Sequence, residues 1–207
     1  MVKNKKLLIA THNPAKLNEL KELLSDLPLE LVSLSDVNIT KEAEEKGTTY
    51  EENSKTKALV YSKKSGLPAL SDDGGLEIVA LNNEPGVYSK VWLGKNSTEQ
   101  QLISHMQKVA KQLPDNNRKA YFKVVLSLAL PNGKVWSEMG EIEGIIAKKP
   151  FIKELKGYPY RSFFFLPQIN KYYFETELTP EEQKIYNHRI VAINKLKPIL
   201  QKTLNIL

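Results

Sequence analysis

Ser65-Gly66-Leu67-Pro68-Ala69-Leu70-Ser71-Asp72-Asp73-Gly74-Gly75-Leu76-Glu77-Ile78 is the stretch from which the rest of the chain is read. A short apolar run delivers two adjacent carboxylates. Two glycines follow at once, so the backbone can turn tightly or let a ligand come close. This is how a chain presents acids at the end of a strand. Neighbouring aspartates repel each other unless a cation, a basic side chain or water neutralises them. A divalent metal would do so; a solvated Asp-Asp-Gly-Gly turn joining two strands would account for the same residues.

Upstream, residues 5 to 10 read as a buried strand, and Leu17, Leu20, Leu23, Leu24 and Leu27 recur at helical spacing. Between them lies Thr11-His12-Asn13-Pro14-Ala15-Lys16. A polar loop running into a helix that opens near a proline brings free backbone N–H groups and the positive helix end together, which suits a phosphate. Lys16 adds charge there, although the Walker pattern is absent. Leu29 to Leu34 reads as a second strand. The acidic patch from Lys41 to Gly47 then precedes a capped helix that opens at Thr48-Thr49-Tyr50-Glu51-Glu52 and reaches Lys64. Glu51 and Glu52 serve that helix's dipole, whereas Glu44 is freer to reach a metal held by Asp73.

Downstream, Leu76 to Leu81 reads as a strand and Asn82 to Gly86 as a turn. Ser97-Thr98-Glu99-Gln100 caps a helix whose apolar face is Ile103, Met106, Val109, Ala110 and Leu113. Residues 119 to 130 and 134 to 148 flank Pro131-Asn132-Gly133 as an antiparallel ribbon. Phe163 to Leu166 is a further strand, Thr179-Pro180-Glu181-Glu182 opens a helical region, and the chain closes in the amphipathic stretch Ile190 to Leu200. Without repeats or a clear linker, residues 1–207 read as one folding unit with two lobes.

At 41% apolar and 26% charged residues, the composition is that of a globular chain rather than a disordered one. The absence of cysteine excludes disulfides and thiolate metal sites, and suits a reducing cytoplasm. The basic start followed by Leu-Leu-Ile-Ala is like a secretion signal, but Thr11-His12-Asn13 ends the apolar run too soon. No stretch approaches the ~20 apolar residues of a bilayer span, so a soluble protein is expected, without a membrane partner. The net charge of +6 favours polyanions, yet the basic residues are scattered among 24 acids. That distribution favours a small anionic ligand over nucleic acid.

Four stretches in one order carry a resemblance: Thr-His-Asn-Pro-Ala-Lys at 11 to 16, Glu-Glu-x-Gly-x-Thr-Tyr-x-Glu-Asn at 44 to 53, Gly-Leu-Pro-Ala-Leu-Ser-Asp-Asp-Gly-Gly-Leu at 66 to 76, and Pro-Gly-Val-Tyr-Ser at 85 to 89. With His188-Arg189 as a fifth element, the chain resembles the inosine triphosphate pyrophosphatase family. These enzymes hydrolyse non-standard purine nucleoside triphosphates to the monophosphate and pyrophosphate. The resemblance implies an α/β fold in which an elongated mixed sheet is covered by helices, with two lobes flanking a central cleft, and a cytoplasmic homodimer. It further implies that Thr11, His12, Asn13, Pro14, Ala15 and Lys16 bind the triphosphate. Glu44 and Asp73 would hold Mg²⁺, with Asp73 also the proton acceptor and Asp72 a supporting partner or second base. Lys57 would lie near the phosphates and Gly74, where a serine or threonine commonly follows the Asp pair, would contact the substrate, while Gln183, His188 and Arg189 would serve base recognition.

The resemblance is strong from 7 to 94 and looser beyond. The family's base-recognition segment, approximately Gly-Phe-Gly-Tyr-Asp-Pro-x-Phe, is here Gly157-Tyr158-Pro159-Tyr160-Arg161-Ser162-Phe163-Phe164. Tyr158 and Tyr160 keep aromatic faces for a purine. Arg161 replaces an acceptor-only carboxylate with five donors, so it is expected to donate to the base and retune its selection. The lysine that ordinarily precedes the Ser-His-Arg element is replaced by Gln183, with Lys184 beside it. A nucleotide-binding module without turnover is the alternative reading, and a basic RNA-associated protein a third.

Overall fold

The computed structural model describes residues 5–153, 155–174 and 176–206, so the first four residues of the basic start lie outside it. In chain order the elements are β1 (Lys5–Ile9), α1 (Pro14–Leu23), β2 (Leu29–Ser33), α2 (Tyr50–Ser65), β3 (Ala69–Ile78) and β4 (Glu84–Pro85). Then come α3 (Glu99–Gln112), β5 (Lys119–Ala129), β6 (Val135–Ile146), β7 (Phe164–Leu166), β8 (Lys171–Tyr172), α4 (Pro180–Tyr186) and α5 (His188–Leu204). The strands form one eight-stranded sheet in the order β2-β1-β3-β5-β6-β7-β8, with β4 paired to β3, which bears out the mixed α/β class. Two compact units divide the chain: Met1–Asp73 with Val124–Gly140 and Arg189–Leu207, and Gly74–Lys123 with Glu141–His188.

In the first unit β1 pairs in parallel with β2 on one side and β3 on the other, through Leu7↔Leu31 and Leu8↔Ala69. Parallel neighbours need crossovers, which α1 and α2 supply, and both sheet faces are thereby covered. This is why Leu7-Leu8-Ile9 of β1, with Ala10 after it, is an unbroken apolar run rather than an alternating one. Leu7 and Ile9 pack with Leu20, Leu24, Leu196 and Leu200 on one face, while Leu8 and Ala10 pack with Tyr61 and Val32 on the other.

The second unit is antiparallel where β7 joins β6 and β8. Its core gathers Leu102, Ile103, Met106 and Ala110 of α3 with Phe122, Ile142, Phe163 and Phe164. The buried Arg118 closes the end of α3, donating to the carbonyls of Ala110 (2.6 Å), Leu113 (2.8 Å) and Ile146 (2.6 Å). Carbonyls in the last turn of a helix have no partner within it, and the guanidinium supplies one.

Two strand boundaries differ from those the sequence suggested. Asp72-Asp73-Gly74-Gly75 is not a turn between strands but the interior of the ten-residue β3. Neither Gly74 nor Gly75 takes a positive φ. Gly75 is needed for space instead, since a Cβ there would collide with the Ser89 side chain and the Gly86 carbonyl. Further on, β3 ends at Ile78 and Val79–Leu81 is a 3₁₀ turn, as is Arg161–Phe163 ahead of β7. The capping boxes of Thr49 with Glu52 and of Thr179 with Glu182, behind Pro180 at the first helical position, form as read, while ahead of α3 the box is Thr98 with Gln101, one residue past the stretch read as the cap.

Candidate active site

Successive side chains of a strand point to opposite faces, so the two aspartates cannot share an environment. On β3 the even positions Leu70 and Asp72 face α1 and α5, while Ser71 and Asp73 face α2. Asp72 is fully buried, and its Oδ2 accepts from Lys16 Nζ at 3.0 Å and from Arg189 at 2.9 and 3.3 Å. Arg189 also meets Glu19 Oε2 at 3.3 Å. Burial resists ionisation of Asp72, but Lys16 and Arg189 outweigh it and hold the carboxyl well below the usual carboxylate range. Burial in turn lowers Lys16, against the pull of Asp72.

Asp73 has the opposite balance. Its Oδ1 accepts from Lys57 Nζ at 2.9 Å, and Lys57 also meets Glu45 at 3.1 Å. Burial pushes the Asp73 carboxyl up despite Lys57. Lys57 itself is raised, because Asp73 and Glu45 more than offset its own burial. Asp73 Oδ2 is buried with no hydrogen-bond partner among the described residues. An orphaned oxygen on this buried carboxyl is the ligand a hard cation would take and the acceptor an attacking water would use.

The loop ahead of α1 corrects one expectation. Pro14 has no N–H, Ala15 and Lys16 donate theirs to Asn13 Oδ1 at 2.9 and 3.3 Å, and Leu17 donates to the Asn13 carbonyl at 3.0 Å. The helix start is therefore satisfied by its own cap rather than free for phosphate, and the charge available to an anion is the Lys16 ammonium. Thr11 Oγ1 accepts from Asn13 N–H at 3.2 Å, and the exposed His12 ring stands edge-on to Tyr61.

The Glu44 carboxylate is 73% exposed and pairs with Lys46 at 2.7 Å, so its neighbour Glu45 is the acid joined to Asp73 through Lys57. Among the described residues no group of three or more metal-ligating side chains is assembled. Magnesium keeps most of its waters and needs only one or two carboxylates, so this donor set fits it.

In the second unit, Arg161 is 4% exposed, and its guanidinium carbon lies 3.8 Å from the Tyr158 ring centre and 4.8 Å from that of Tyr173. Its charge is set against these two aromatic faces. Tyr160 is buried, with its hydroxyl donating to the Ser89 carbonyl at 2.7 Å, and burial pushes its phenol up. The Ser89 hydroxyl accepts from Leu76 N–H and donates to the Gly86 carbonyl, which ties Tyr160 to the segment after β3. Gln183 on α4 is half-buried, and Gly74 opens this unit. His188 is 3% exposed, stacked on Phe122 at 5.4 Å, with its Nδ1 2.9 Å from the Tyr173 hydroxyl.

Sequence reasoning missed Glu19, Glu45, Phe122 and Tyr173. Glu19 had a signal, standing three residues after Lys16 on the same helix. Tyr173 and Phe122 had none, because only the folded chain brings them to His188.

A mixed α/β protein with an asymmetric buried aspartate pair, flanked by Lys16, Lys57 and Arg189, is of the class that handles phosphorylated ligands. The Ham1 family pattern matches residues 7–199, and the chain belongs to that family. A dITP/XTP pyrophosphatase of Thermus thermophilus is 38% identical over 196 residues, 95% of this chain and 92% of that protein. Its counterpart in Bacillus subtilis is 33% identical over 201 residues, covering 97% of this chain and all of that protein. The Ham1 protein of Coxiella burnetii superimposes with a TM-score of 0.80 at 34% identity, over 96% of this chain and 99% of that one. The Staphylococcus aureus Ham1 protein gives 0.78 at 29% identity, over 96% and 100%.

Proposed function

We propose that this chain is a nucleoside triphosphate pyrophosphatase. It hydrolyses non-standard purine nucleoside triphosphates such as ITP, dITP and XTP to the monophosphate and pyrophosphate. The observation that carries this reading is the buried Asp73 Oδ2, without a hydrogen-bond partner among the described residues, with Lys16, Lys57 and Arg189 around the aspartate pair. In the reaction the bond between the α- and β-phosphates breaks, and an oxygen from water joins the nucleotide side. Asp73 orients that water and accepts its proton; burial raises its carboxyl above the ordinary carboxylate value, which makes it a stronger base. Lys16 meets the developing charge on the phosphates, and Asp72 holds Lys16 and Arg189 in place between turnovers.

Asp73 and Glu44 would hold Mg²⁺, which when bound neutralises the triphosphate. Base selection falls to His188 and Arg189. The reading includes a homodimer in the cytoplasm, for which light scattering should report twice the chain mass. Among the described residues no helix is long and apolar enough to cross a membrane.

The test is pyrophosphate release from ITP, dITP, XTP, GTP, ATP and dUTP with Mg²⁺, on wild type and Asp73→Asn. Removing a positioned base lowers turnover by roughly 10²–10⁴-fold, with nucleotide binding retained. Full rate in Asp73→Asn overturns the assignment. Tight binding without pyrophosphate release from wild type favours the binding module instead.

A further inference from the structure

Asn53, Lys57 and Tyr61 are spaced by four along α2 and so lie on one face of it, and each holds one member of the segment that precedes the helix. The Tyr61 hydroxyl accepts from Ala43 N–H at 2.9 Å, Lys57 Nζ meets Glu45 Oε1 at 3.1 Å, and Asn53 Oδ1 accepts from Gly47 N–H at 2.8 Å. Residues 43, 45 and 47 thus run antiparallel to 61, 57 and 53. We propose that Asn53 and Tyr61 are positioning residues: they pin both ends of segment 43–47 to α2 in the register that turns Glu45, rather than Glu44, onto Lys57 beside Asp73.

The two repeats match. Two extended residues advance ~6.6 Å and four helical residues ~6 Å, so every second residue of the segment meets a new turn of the helix. A slip of one residue would put Glu44 where Glu45 now stands. Residues 42–47 form no helix, strand or turn, so their register comes from α2. Both pins are buried, Asn53 at 4% and Tyr61 at 2% exposed, and each gives a partner to a backbone N–H outside any ladder. Gly47 adds a steric stop: a Cβ there would stand 2.7 Å from both Asn53 Oδ1 and Glu52 Cβ, so only glycine lies this close to the helix. Glu44 and Lys46, the residues between, are left exposed and pair with each other at 2.7 Å. Lys57 is shared between Glu45 and Asp73, so the register reaches the aspartate through one ammonium. Its bearing on turnover rests on the proposed reading that Lys57 and Asp73 act on the triphosphate.

The experiment is amide hydrogen exchange read by NMR, together with a double-mutant cycle on KM for ITP. Tyr61→Phe removes one hydroxyl and keeps the ring in its apolar cluster. The Ala43 amide should be protected in wild type and exchange roughly three- to tenfold faster in Tyr61→Phe, the worth of one neutral hydrogen bond. Asn53→Leu should do the same at Gly47, and Asn53→Asp, which keeps an acceptor oxygen, should restore protection. KM for ITP should rise by a similar factor in Tyr61→Phe with kcat kept. Because the pin acts through Glu45, adding Tyr61→Phe to Glu45→Gln should change KM no further. Unprotected Ala43 and Gly47 amides in wild type overturn the register and need no variant to fold. Protection lost in Tyr61→Phe, with a KM effect that simply adds to that of Glu45→Gln, refutes the positioning role. If wild type releases no pyrophosphate, the enzyme reading falls, and the same cycle on the Kd for ITP decides the proposal, additivity there refuting it.

Discussion

Asp72→Asn is the change that probes the charge balance of the first unit most directly. It keeps the shape of the side chain and removes its charge. Asp72 Oδ2 serves Lys16 at 3.0 Å and Arg189 at 2.9 Å, and its side chain is 1% exposed. Breaking a buried ion pair by removing one partner costs ~3–5 kcal/mol. Arg189 retains Glu19 at 3.3 Å, so the lower end applies. For a chain of this size ~3 kcal/mol corresponds to a fall of roughly 6–12 °C in Tm. The pH dependence follows from the depressed Asp72 carboxyl: its stabilising contribution is complete above the ordinary carboxylate range and is lost as pH falls through its lower folded value. Thermal unfolding of both proteins should therefore show the full gap near neutrality and a closing gap in strong acid. Inorganic pyrophosphate should raise the Tm of Asp72→Asn more than that of wild type, because it offers new partners to Lys16 and Arg189. A gap under about 2 °C at neutral pH, or one that widens in acid, would refute the reasoning.

Two further outcomes test separate parts of the molecule. Glu44→Gln should raise the Mg²⁺ concentration for half-maximal activity by about tenfold or more, while Glu45→Gln should leave it nearly unchanged and alter KM through Lys57; a Mg²⁺ titration with the opposite order transfers the ligand role to Glu45. Arg118→Ala strands two buried carbonyls at the end of α3 and that of Ile146 at the end of β6, and should cost ~3 kcal/mol or more, with Arg118→Lys intermediate because an ammonium cannot reproduce the fork. Urea unfolding checks it, and equal midpoints for Arg118→Ala and wild type would show that the fork contributes nothing.

Local chemistry was legible in the sequence. The capping boxes at Thr49, Thr98 and Thr179, the unbroken apolar run of β1 and the spacing of the α3 core residues are short-range patterns, and each formed where its residues stood. The family's motifs lie in this class, as contiguous runs of residues. The Asp-Asp-Gly-Gly stretch reads equally as a strand end or as a turn between two strands, because two glycines permit a turn. Only the fold revealed that Gly75 is required for the approach of Gly86 and Ser89, a contact 11 and 14 residues away along the chain. Tertiary structure also decided the roles of the two aspartates. A strand sends neighbours to opposite faces, but which helix covers each face depends on the crossovers, so Asp72 went to Lys16 and Arg189 while Asp73 went to Lys57. The same holds for Arg161, whose charge could be read from the sequence but whose placement on Tyr158 and Tyr173 could not. Composition and spacing determine which chemical groups a chain carries; only long-range packing determines which of them are left without a partner, as Asp73 Oδ2 is among the described residues.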